Sequence, residues 1–67
     1  MTAGQTAALD IHLKSLKQSS TMPNDAISRV LAKIAKHMNV KVSLGHINGY
    51  LYGHGLPQID QGQWDNL

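Results

Sequence analysis

The sequence predicts a small α+β domain, mainly α, with two amphipathic helices (about 5–18 and 24–38) followed by a β-hairpin (about 40–56). Three observations carry that prediction. Apolar residues recur at helical spacing as far as Met38, and the pattern turns to strand-like alternation at Val40. Asn48-Gly49 then stands where a two-residue turn needs both residues at positive φ. The alternative is a third short helix at 43–52, which gives an all-α domain. Sixty-seven residues make one small domain, 1–67, ending in a polar tail from about 57 to 67.

In the first element, Leu9, Leu13 and Leu16 fall at i, i+4 and i+7, on one helical face. Leu9, Ile11 and Leu13 also alternate as in a strand, but the Ala pair and the straight-chain residues favour helix. Asp10 and Lys14 form an i,i+4 pair of the favourable orientation. Gln18 to Asn24 is a polar connection containing Pro23. The second helix takes Asn24 as its expected N-cap, with Asp25 in the first turn and Lys33, Lys36 and His37 toward the end. Its apolar set is Ile27, Val30, Leu31, Ile34 and Met38, and Arg29, Lys33 and Lys36 fall opposite.

Beyond Asn39, Val40-Lys-Val-Ser-Leu44 alternates as a half-buried strand does, and Tyr50-Leu51-Tyr52 supplies a return strand. Read as a third helix, the same segment carries Gly45 and Gly49, each costing about 0.8–1 kcal/mol against alanine. The expected core is Leu9, Leu13, Leu16, Ile27, Val30, Leu31, Ile34 and Met38, closed by Val40, Val42, Leu44 and Leu51. Trp64 is the one strong anchor of the tail.

Charge is unevenly distributed. Residues 1–41 hold all six basic residues against two acidic ones, a net of +4, and residues 42–67 hold only Asp60 and Asp65, a net of −2. Clustered positive charge suits a polyanion, because each neutralised phosphate releases condensed counterions. Absence of cysteine excludes disulfides and thiolate metal sites. No basic leader precedes an apolar run, and no run approaches the roughly 20 residues of a membrane span, so the expected setting is cytoplasmic without a membrane partner. A chain this short leans on a partner or on itself, so a homodimer is among the expected states.

The four histidines, His12, His37, His46 and His54, lack the short spacings that bind zinc, so no metal and no cofactor are expected. In the hairpin register Ser43 faces His54, yet no carboxylate lies close in sequence to orient the pair. The expectation is a protein that is not an enzyme. Tyr50, Tyr52 and Trp64 are the only aromatics, with the two tyrosines on one face of a strand, as core cover or as a partner interface.

The run Leu31 to Ile47 resembles a helix-turn-helix motif. Small Ala35 stands four positions before the turn residue Asn39, apolar Val40 follows, and Ser43 would cap a recognition helix carrying Ile47 and Leu51. Lys41-Val42 lengthens the turn, and two glycines interrupt the second helix. With a hairpin instead, the arrangement resembles a truncated winged helix. The basic stripe, with either resemblance beside it, leads to the expectation of a small DNA-binding regulator of bacterial or phage type, with Arg29, Lys33, Lys36 and Lys41 at phosphates and His46 or Asn48 reading bases. The competing expectation is a protein-interaction module, an inhibitor, adaptor or assembly subunit, docking a larger protein through Tyr50, Tyr52 and Trp64.

Overall fold

The computed structural model describes residues 1–19 and 21–67; within the connection expected at 18–24, Ser20 lies outside the described residues. Among the described residues four helices follow one another, α1 (Ala3–Ser19), α2 (Asn24–Lys36), α3 (Leu44–Gly53) and α4 (Gln61–Asp65). Helix α2 packs against each of the other three.

Local chemistry sets the helix boundaries. Before α1, Thr2 Oγ1 accepts from the Gln5 amide (3.1 Å) while Gln5 Oε1 accepts from the Thr2 amide (2.9 Å), a reciprocal capping box. Gln5 also donates from Nε2 to the Val40 carbonyl, tying the start of α1 to the segment after α2. Leu9 and Leu13 are buried and Leu16 packs at the margin, whereas Ile11 is 70% exposed, so the strand alternation of Leu9, Ile11 and Leu13 has no role. Helix α2 begins one residue earlier than its expected cap: Pro23 holds the N-cap position without a side-chain bond, and Asn24 is already helical. Ile27, Ser28, Leu31, Ala32 and Ala35 form its buried face.

The hairpin expected at 40–56 is not present, nor is any strand among the described residues; residues 44–53 form α3, and the all-α alternative fits. The Ser43 Oγ accepts from the His46 amide (3.2 Å) and starts the helix as an N-cap. Helical spacing lets Ile47, Tyr50 and Leu51 be buried together, which a strand cannot do because it sends Tyr50 and Leu51 to opposite faces. Fully burying Ile47 and Leu51 stabilises by about 1.5–3 kcal/mol each, which exceeds the roughly 2 kcal/mol that Gly45 and Gly49 cost together. Asn48-Gly49 is no turn: Gly55, at φ 72°, is the only residue with positive φ among those described.

That glycine ends α3. The Leu56 amide donates to the Leu51 carbonyl (2.9 Å) and the Gly55 amide to Tyr52 (3.1 Å), the pattern of a Schellman motif. Leu56, brought back over Leu51, is buried with it. Ile59 is buried as well, and Asp60 and Gln63 form a second capping box ahead of α4. Trp64 and Leu67 pack at the edge of the core. Val42 is buried as expected, Leu44 is half-buried, and Val40 lies exposed on the surface because the strand meant to bury it does not form.

Candidate nucleic-acid interface

The six residues expected at a nucleic-acid surface divide into two groups. Arg29 and Lys33 lie exposed one turn apart on α2, Lys41 is exposed in the segment between α2 and α3, and His46 is exposed in the first turn of α3. Arg29 has one partner, Asp25, at 3.5 Å across a turn of the same helix, and such exposed pairs hold the charge only weakly. Lys33 and Lys41 form no ion pair among the described residues. These cations remain available to an anion.

Lys36 and Asn48 are committed elsewhere. The Lys36 ammonium donates to the Trp64 carbonyl and sits 5.4 Å from the centre of the Trp64 ring, a cation–π contact that joins α2 to α4. Its position at the edge of the α2 core face, rather than squarely opposite it, makes this reach feasible. Asn48 Nδ2 donates to the Ile59 carbonyl (2.8 Å), and Asn48 Oδ1 accepts from the Ile59 amide (2.7 Å). The carboxamide thus fastens α3 to the segment leading into α4.

The aromatics separate too. Helical geometry sends Tyr50 inward and Tyr52 outward, 75% exposed, so the shared face expected of a strand does not exist. Trp64 is half-buried beneath Lys36. The Tyr50 hydroxyl donates to Asp10 Oδ1 at 2.5 Å, and His54 lies against the Tyr50 ring with centroids 4.2 Å apart. His54 Nε2 is 3.8 Å from that same Asp10 oxygen. Burial, then the hydrogen bond to Asp10, then the negative charge of Asp10 hold the Tyr50 phenol above its usual range. Asp10 was expected to pair with Lys14; its carboxylate turns instead to α3. Nothing in linear sequence joins Asp10 to Tyr50, but Tyr50 and His54 are an i,i+4 pair once the segment is read as a helix.

Helix α3, where the motif resemblance sets a recognition helix, turns Gly45, His46, Gly49, Tyr52 and Gly53 outward, without lysine or arginine. Residues 37–43, which join it to α2, exceed the about three or four residues usual in a helix-turn-helix. Ser43, expected beside His54, is the α3 cap instead. Among the described residues no three metal-ligating side chains converge, and no helix is long and apolar enough to cross a membrane. Comparison with protein-family models, curated proteins and solved structures gave no match.

Proposed function

We propose that the chain is a small non-enzymatic DNA-binding domain of regulatory type that holds the phosphate backbone through Arg29, Lys33 and Lys41. The observation that supports this most is the set of exposed, weakly or wholly unpaired cations on α2 and the segment after it. His46 is the one side chain of the expected base-reading pair that remains free to approach a groove, since Asn48 is held by Ile59. Backbone contacts therefore dominate, and sequence selectivity is modest.

Three phosphate contacts give a slope of about −2.7 in the logarithm of affinity against the logarithm of salt concentration. A homodimer bound as one unit doubles it. The test is fluorescence anisotropy with a labelled duplex, comparing the natural chain with R29Q/K33Q/K41Q. The triple variant loses binding if the reading holds; equal binding by both chains refutes it.

A second reading rests on Tyr52. A large exposed aromatic beside Gly45, Gly49 and Gly53 suits a protein partner better than a phosphate. Under that reading Tyr52→Ala abolishes capture of the partner while the triple variant leaves it intact.

A further inference from the structure

We propose that the groove between the C-terminal half of α1 and the end of α3 binds a small anion carrying an apolar body. The groove is shallow and open to solvent, holds about 340 Å³ and is lined by Asp10, Leu13, Lys14, Lys17, Gln18 and His54. That volume lies within the range of small-molecule sites.

The charges decide the ligand class. Asp10 is the only carboxylate in the lining, and its Oδ1 already accepts from Tyr50 and faces His54. Lys14 and Lys17 form no ion pair among the described residues, and together they outnumber that one carboxylate. Two ammonium groups against one carboxylate thus stand on their own methylene stems over the buried Leu13, a surface of net positive charge that takes a negative head and an aliphatic tail together. A bare inorganic anion leaves the apolar wall unused, and a neutral amphiphile leaves both amines unmatched. Arg29, Lys33 and Lys41 do not line this groove, so it stands apart from the phosphate-binding surface proposed above.

The probe is octanoate, below its micelle concentration, titrated into the isotope-labelled full chain and followed by amide chemical shifts. Saturable shifts centred on Asp10, Leu13, Lys17 and His54 are expected, with a dissociation constant on the order of 1 mM, given the efficiency usual for about ten heavy atoms. K14Q/K17Q, shown folded by circular dichroism, weakens binding about five- to tenfold, and R29Q/K33Q leaves it unchanged. The proposal is overturned if shifts fail to saturate or if K14Q/K17Q binds octanoate as the natural chain does. Equal affinity for inorganic phosphate or for neutral octyl glucoside overturns it as well.

Discussion

Asn48→Ala removes both hydrogen bonds between α3 and Ile59 and leaves an amide and a carbonyl without their partner beside a buried side chain. A made hydrogen bond contributes about 1 kcal/mol net, and a buried orphan costs about 1–3 kcal/mol. For two partly buried groups the expected loss is about 2–3 kcal/mol. A chain of this length has only about 3–10 kcal/mol of total stability. The corresponding fall in Tm is roughly 10–20 °C for a domain of this size. Urea and thermal denaturation followed by far-ultraviolet circular dichroism measure it directly. Affinity for duplex DNA, taken at a temperature where both chains are folded, is expected to stay at the natural value. A stability change below about 0.5 kcal/mol, the range of ordinary surface substitutions, refutes the reasoning. So does a loss of DNA affinity at unchanged stability, which returns Asn48 to the base-reading role.

Ser28 is fully buried in α2 and its hydroxyl has no partner among the described residues, so Ser28→Ala is expected to raise stability by about 0.5–1 kcal/mol, read from the urea midpoint. Gly55→Ala forces a side chain into the left-handed region at φ 72° and is expected to cost about 1–2 kcal/mol by the same assay. The Tyr50 phenol keeps its proton in the fold to higher pH than in the unfolded chain, whose phenol follows the ordinary value of 10.0. Its contribution to stability is therefore whole below that value and is lost as pH rises through the folded value, and Tyr50→Phe removes this part of the decline; denaturation between about pH 9 and 11 measures the difference.

How legible the fold was depended on whether a signal was local. The apolar faces of α1 and α2 were readable, because Leu9, Leu13, Ile27 and Leu31 repeat at helical spacing over long segments. Asn48-Gly49 misled because its turn signal is also local, whereas the bond that fixes Asn48 comes from Ile59, eleven positions away. Other cues lay unused in the sequence. Gly55 followed by Pro57 marks a helix end, and Thr2 with Gln5 and Asp60 with Gln63 each have capping-box spacing. Of the expected cationic site, Arg29, Lys33 and Lys41 stayed on the surface, while Lys36 was drawn to Trp64 by the arrival of α4. The clustering of Asp10 with Tyr50 spans 40 positions and could not be read before α3 was placed.

The most direct test of the proposed function is the affinity for random duplex DNA measured by anisotropy as salt rises from about 50 to 200 mM. Three phosphate contacts require affinity to fall about 40-fold over that interval, with a log–log slope of about −2.7. Binding that ignores salt, or no binding at the lowest salt, contradicts the account and leaves the outward face of α3 around Tyr52 as the surface to pursue.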